Sequence, residues 1–384
     1  MLLAVVEERL GDFDAARQAA QKVEEHQLQT AMELYSSARC FQAMHALMEV
    51  GARRQKIPLA WAQSLWGVGR YEQSYAAFEA EATRSSSSAE AVARFAQSAI
   101  MLGRGELALP VIDQRVEQHS GCALQGGLIW YDQDQERSAY CFRRARALEP
   151  GIWQALIGEA ACQPKEQRLD RLQALAGQLP EGDRAAAMLA GHMYAAEHQA
   201  PFIGQSPLVL KAGLDSASTD GLVLECGVYF GRTLNLMAQW GVEAAHGFDC
   251  FEGLPADWNG QEASGAYSTG GYLPVVSESV QLHRGLFEHT LQGFADEHQQ
   301  SQIRLLHVDC DLYTSATEVL KAFGPMLQSG SIVVHDDYCG YPGWQGDEFR
   351  AWQEFTGDAG VAYDYLGFGL LGREAAVRVR SVQS

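Results

Sequence analysis

Three carboxylates stand where chemistry would need them. Asp309 follows the apolar run from Ile303 to Val308, and Asp336 with Asp337 follows the run from Ile332 to Val334 and His335. Short apolar runs bounded by turn signals read as buried strands. Acids at the carboxyl ends of neighbouring parallel strands face the crevice in which an open α/β sheet binds its ligand. Converging carboxylates repel one another unless a cation neutralises them, and oxygen ligands suit Mg²⁺ or Ca²⁺. Asp309 ends its strand directly and is the best-placed ligand. Asp311 is a weaker candidate that is also placed to cap the helix read over 314–321. A hydroxyl beside such a cation becomes acidic, and a nearby carboxylate can take its proton. The competing reading makes all these acids solvated helix caps.

The elements that must position them begin upstream. Leu222 to Leu224 is a short apolar run ending in Glu225, followed by a turn from Gly227 to Gly231, a helical pattern, and a second apolar patch closing on Phe248 and Asp249. That is strand, tight turn, helix, strand, acid: the first half of a nucleotide-binding sheet. Glycine serves where backbone passes close to a ligand. Asp249 lies 22 residues after Gly227, near the offset at which a carboxylate accepts from ribose hydroxyls. The third glycine of a dinucleotide fingerprint is missing. An acid ahead of the first glycine would repel a pyrophosphate but suits an ammonium and a sulfonium, so an NAD-dependent oxidoreductase is disfavoured. The turn resembles motif I of class I S-adenosylmethionine (SAM) methyltransferases.

VQLHRGLF at 280–287 reads as a further strand with a turn at Gly285. Between it and Asp249, the Gly-, Ser- and Tyr-rich stretch ADWNGQEASGAYSTGGYLPVV is too long for a simple connection and reads as a lid, with Trp258, Tyr267 and Tyr272 available to cover a substrate. A mobile surface loop is the alternative.

Residues 1–180 read as helix after helix, with a repeat inside. Gly69 and Gly103 are 34 residues apart in similar phrases, as are Phe78 and Ile112; Gly11 with Phe13 opens an earlier copy, and Phe142, Ala145 and Pro150 fit a later one. This looks like a tetratricopeptide repeat (TPR) solenoid, with a generic helical bundle as the alternative. A solenoid offers a groove for a protein partner or self-association and supplies no chemistry of its own. SSSSAE at 85–90 reads as an inter-repeat loop with a helix cap. The boundary falls near 181–185, giving a helical domain over 1–180 and a catalytic domain over 181–384. His192 and His198 read as helix-surface residues.

At 384 residues the chain has room for two cores. Net charge is −19, of which residues from 201 onward carry −14 (23 acids against 9 bases). Such a surface is a poor partner for nucleic acid or an anionic membrane. The chain lacks the long apolar run of a transmembrane helix, and its acidic N-terminus argues against a signal peptide. The eight cysteines, with no C-x-x-C pair, suit buried thiols in the cytoplasm.

Taken together, ECGVYFGRT, FDCFEGLP, HVDCDLYTSAT and IVVHDDY resemble the macrocin O-methyltransferase family, over roughly residues 205–375. The resemblance implies a Rossmann-like, seven-stranded α/β class I methyltransferase domain acting on a hydroxyl of a sugar, glycan or other natural product. It implies SAM contacts from Glu225, Gly227, Tyr229, Gly231, Thr233, Asp249, Gly285, Leu286 and Phe287, with Leu286 and Phe287 beside the adenine. It also implies Mg²⁺ held by Asp309, Asp336 and Asp337, with Asp309 as general base. The related catechol-type enzymes carry a lysine after the corresponding acid; here Leu312 and Tyr313 stand there. The resemblance leaves the helical half unexplained. A scaffold with a catalytically dead methyltransferase half is the rival reading, and the intact acids argue against it.

Overall fold

The computed structural model describes every residue except 10, 11, 38, 39, 51, 52, 180–182, 218, 219, 259, 261, 383 and 384. The repeat position at Gly11 and the expected boundary residues Pro180 to Gly182 therefore lie outside the described residues.

The second half of the chain forms one sheet of eight strands: β1 (Phe202–Ile203), β2 (Leu222–Cys226), β3 (Ala245–Asp249), β4 (Val280–Arg284), β5 (Ile303–Val308), β6 (Ile332–His335), β7 (Ala362–Gly369) and β8 (Ala375–Ser381). Their order is β1-β7-β8-β6-β5-β2-β3-β4. Every pairing is parallel except those of β8, which runs antiparallel to β6 and β7. The expected seven strands thus become eight. The addition is the two-residue edge β1, pairing Phe202 with Phe368 and Ile203 with Gly369; too short to carry a period-2 pattern, it reads in sequence as a turn-rich link.

The register brings the strand tips level. Cys226 pairs with both Phe248 and Val308, and Val308 pairs with His335. The residues that follow them are Gly227, Asp249, Asp309 and Asp336, so these gather at one end of the sheet. Gly227 has φ +94°, and a Cβ there would run into the carbonyl oxygen of Asp309. Only glycine lets the turn after β2 lie against the tip of β5.

The first half is helical, as expected, in successive packed pairs such as Pro58–Gly67 with Tyr71–Ala82 and Ser120–Trp130 with Gln135–Leu148. Phe142 is fully buried, and Cβ atoms on Gly127 and Gly158 would lie 2.5 and 2.7 Å from its ring. Small residues there let helices close on one aromatic. Ser88 caps Ala89–Met101, its side chain accepting the Ala91 N–H at 3.1 Å. The second helix after Gly103 is broken into a 3₁₀ turn (Gly105–Ala108) and one short turn of helix (Leu109–Ile112), where Pro110 contributes no N–H.

The two halves share a core. One apolar cluster runs from Ala62 through Phe95, Phe142 and Ala155 to Phe202, Leu306 and Val377. Polar contacts cross as well: Gly105 N–H donates to Gln205 Oε1 at 2.9 Å, and Gly204 N–H to the Asp132 carboxylate at 3.0 Å. His192, expected on a helix surface, is buried: its ring stacks on Phe202 at 4.8 Å, Nδ1 lies 2.8 Å from Met188 O, and burial lowers its pKa to about 4. His198 is exposed.

Candidate active site

At the level strand tips lies a cleft of about 540 Å³, within the range of small-molecule sites. Gly227, Tyr229, Asp249, Gly285, Leu286 and Phe287 line one part of it; Asp309, Asp311, Asp336 and Asp337 line another. Among the expected cofactor contacts, Glu225, Gly231 and Thr233 do not line the cleft. Gly231 (φ +71°) is the left-handed N-cap of helix Arg232–Gln239. Glu225 is fully buried beneath the turn, where Oε1 accepts from Thr233 Oγ1 at 2.8 Å and Oε2 lies 2.9 Å from His307 Nδ1. Its carboxylate is thus held by Thr233 and His307 and is not turned into the cleft, so it offers no direct contact to a ligand there.

Asp249 ends β3 and reaches back to the glycine turn. Oδ2 accepts the N–H groups of Val228 and Tyr229, each at 2.8 Å, and Oδ1 accepts that of Phe251 at 2.7 Å. The carboxylate therefore organises the turn itself. Tyr229 adopts φ +50°, a conformation that costs a non-glycine residue roughly 1 kcal/mol or more and persists only when its surroundings enforce it.

The acids form two overlapping groups. Ligand atoms of His307, Asp309 and Asp336 lie within 4.8 Å of one another, and so do those of Asp309, Asp311 and Asp337. Burial, then the charges of Asp336 and other neighbours, pushes Asp309 well above the ordinary carboxylate range; burial and Asp337 do the same to Asp311. Burial and Asp336 also raise Asp337. Burial opposes ionisation of Asp336 too, but His307, Arg232 and Arg373 outweigh it and hold its pKa low. His307 is raised well above its usual value despite burial, because Asp336 and Glu225 flank it. Crowded oxygens that resist ionisation in the absence of positive charge are a donor set suited to a hard divalent cation.

Asp311 does not cap the following helix. The N-cap of Tyr313–Phe323 is Leu312, with no side-chain hydrogen bond. Asp311 instead takes φ +62°, and its N–H and that of Cys310 donate to Glu348 Oε1 at 3.2 and 3.1 Å. That turn delivers the Asp311 side chain to the acid cluster.

Other residues at the site escaped sequence reasoning. Arg373 Nη1 holds Asp337 Oδ1 at 2.7 Å, and its guanidinium lies 5.0 Å from the Tyr341 ring centroid. Glu374 lines the cleft, raised to about 7 by burial and the Asp336 charge. His307 had a usable signal: two residues before Asp309, it shares that strand face. Arg373 and Glu374, in the link just before the antiparallel strand β8, had none. Of the lid aromatics, Tyr267 lines the cleft and stands edge-on to Tyr229 at 5.8 Å. Trp258 is buried instead, with Nε1 donating to Asp347 Oδ2 at 3.0 Å, and Tyr272 lies exposed outside the cleft.

Comparison with known proteins matches this region. Residues 224–338 fit a family model described as a methyltransferase domain. The chain carries a methyltransferase domain. The match spans β2 to the acids after β6, less than a third of the chain. No curated protein matches. Solved structures that resemble the chain include CalS11, a calicheamicin methyltransferase, at 24% identity and TM-score 0.33, covering 56% of this chain and 93% of that one. An apo structure of CalS11, titled a TDP-rhamnose 3'-O-methyltransferase, gives 24% identity and TM-score 0.32, with 56% and 95% covered. The O-methyltransferase NovP gives 19% identity and TM-score 0.34, with 46% and 78% covered. No helix among the described residues is long and apolar enough to cross a membrane.

Proposed function

We propose that the protein is a SAM- and Mg²⁺-dependent O-methyltransferase acting on a hydroxyl of a sugar, glycan or other natural-product unit, in the cytoplasm. The observation that carries this reading is the meeting, in one cleft, of the glycine turn with Asp249 and of the acids Asp309, Asp336 and Asp337. SAM supplies an electrophilic methyl group, and Mg²⁺ supplies positive charge that acidifies a nearby hydroxyl.

The chain's own residues divide the remaining work. Gly227, Tyr229 and Gly285 to Phe287 cradle the cofactor, and Asp249 fixes the turn that does so. Asp309, Asp336 and Asp337 are the residues to hold the metal. His307, Arg373 and Arg232 keep Asp336 and Asp337 in place and partly neutralise them. Asp309 is the proposed proton acceptor, and Asp311 joins the same cluster from a turn fixed by Glu348. Methyl transfer needs the acceptor oxygen close to the methyl carbon and in line with the breaking bond. Tyr267 and the lid wall of Leu254 to Ala256 restrict where an acceptor can lie.

The helical half, read as a TPR-like array, is assigned to holding the acceptor, a protein partner or a second copy. The test is mass spectrometry for a +CH₂ product after incubation with SAM, Mg²⁺ and a panel of glycosylated acceptors. Absence of product from every acceptor, together with no SAM binding by calorimetry, refutes the reading.

A further inference from the structure

The glycines that mark the 34-residue repeat have a second relation that the repeat does not require. Gly69 and Gly103 are both left-handed, with φ +76° and +64°, as a turn between paired helices demands. Both also abut one helix of the other half, Arg232–Gln239. A Cβ on Gly69 would lie 2.5 Å from Cγ of Phe230, and a Cβ on Gly103 would lie 3.1 Å from Cζ2 of Trp240. Phe230 immediately precedes that helix's N-cap, and Trp240 is its C-cap. The turns at Gly69 and Gly103 thus grip the two ends of the helix that follows the glycine turn. A third contact lies between them: Arg232 Nη1 donates to the carbonyl of Met101 at 3.0 Å.

The N-terminal grip leads to the cleft. The Phe230 ring packs against Tyr229 at 4.3 Å between centroids. Tyr229 and Arg232 both line the cavity. Tyr229 is the residue held at positive φ, and such a backbone needs support on more than one side. Asp249 supplies it from β3, and the ring of Phe230, seated on Gly69, supplies it from the helical half.

We propose that the helical half positions the cofactor turn, with Gly69 acting through Phe230 on Tyr229, so that SAM affinity depends on a residue far outside the methyltransferase domain. The proposal rests on the SAM reading above. Gly69 and Phe230 are positioning residues, since neither lines the cleft.

The test is a double-substitution cycle in the full chain, read by calorimetric titration of SAM with melting temperature measured alongside. Gly69→Ala places a methyl group against the Phe230 ring and is expected to weaken SAM binding about tenfold, and Phe230→Ala about fivefold. In the Phe230→Ala background, Gly69→Ala changes SAM affinity less than about twofold, because the ring it would displace is gone. The positive φ at Gly69 lowers the melting temperature in both backgrounds, so affinity, not stability, carries the result. Gly151→Ala, where nothing lies within 4 Å, leaves both unchanged. If Gly69→Ala does not fold, Phe230→Ala alone decides, and Phe230→Leu restores affinity by refilling the contact. Unchanged affinity in folded Phe230→Ala, or an equal loss from Gly69→Ala with and without the ring, overturns the proposal. Wild type that binds no SAM overturns the functional reading as well.

Discussion

Glu225 Oε2 lies 2.9 Å from His307 Nδ1, and the two residues are directly paired across β2 and β5. The acid ahead of the glycine turn is therefore tied to β5 and does not line the cleft. From His307 the chain of charge continues to Asp336, whose Oδ1 is 3.8 Å from Nε2. The glycine turn and the acid cluster are thus joined through Glu225 and His307.

Removing Glu225 should cost stability before it costs ligand affinity. Glu225→Ala leaves Thr233 and a buried, charged His307 without their partner, a loss on the order of 3 kcal/mol. Glu225→Gln keeps an acceptor for Thr233 and should lose clearly less. Denaturant titration measures both. SAM affinity of Glu225→Gln should stay within about threefold of wild type; a much larger loss with normal stability would place Glu225 against the ligand after all.

Asp249→Ala deletes a carboxylate that accepts three backbone N–H groups and releases the Val228–Tyr229 turn. SAM affinity should fall by on the order of 1.5–3 kcal/mol. Asp249→Asn, which retains one oxygen acceptor, should fall in between. Calorimetric titration showing wild-type affinity for the alanine variant would remove Asp249 from the cofactor site.

Metal dependence should separate from cofactor binding. EDTA should abolish turnover, and added Mg²⁺ should restore it. Asp336→Asn and Asp337→Asn each exchange a charged ligand for a neutral one, and high Mg²⁺ should partly rescue them by mass action. Asp309→Asn should be hurt most and rescued least, having lost a ligand and the proposed base together. All three should still bind SAM. Full activity in thoroughly chelated enzyme refutes the metal site.

The acids also give a pH dependence with a definite sign. Glu374 is raised from 4.5 to about 7, first by burial and then by Asp336. Between those values the folded state binds more protons than the unfolded state, so this stability is present below pH 4.5 and is lost as pH rises through about 7. Glu374→Gln, neutral throughout, should match wild type near pH 4.5 and melt at a higher temperature at pH 8. Parallel melting profiles across that range would show that Glu374 is not held protonated. Mg²⁺ should stabilise wild type more at pH 8 than at pH 5, where protons compete for the same oxygens.

What could be read from the sequence was what short segments encode. Apolar runs ending in Asp309 and in Asp336–Asp337, the glycine turn at 227–231 and the carboxylate at Asp249 each fit within a few residues. Strand period, glycine φ and position at a strand end follow from local chemistry. The 34-residue spacing of Gly69 and Gly103 was legible for the same reason. The sequence alone thus specified an open α/β sheet with acids at its strand tips, preceded by a helical half.

Tertiary structure decided where side chains point and which distant segments meet. Glu225 stands at a strand tip like the other acids, but its burial between Thr233 and His307 depends on the pairing of β2 with β5. Asp311 looked like a helix cap until Glu348, 37 residues later, fixed its turn in the left-handed region. Arg373 and Glu374 reach the cleft only because β8 enters the sheet antiparallel, and no local pattern announces that direction. The seat of Phe230 on Gly69 joins residues far apart in the chain. Contacts between segments are set by packing the whole core, whereas a motif records only the backbone and side-chain preferences of its own few residues.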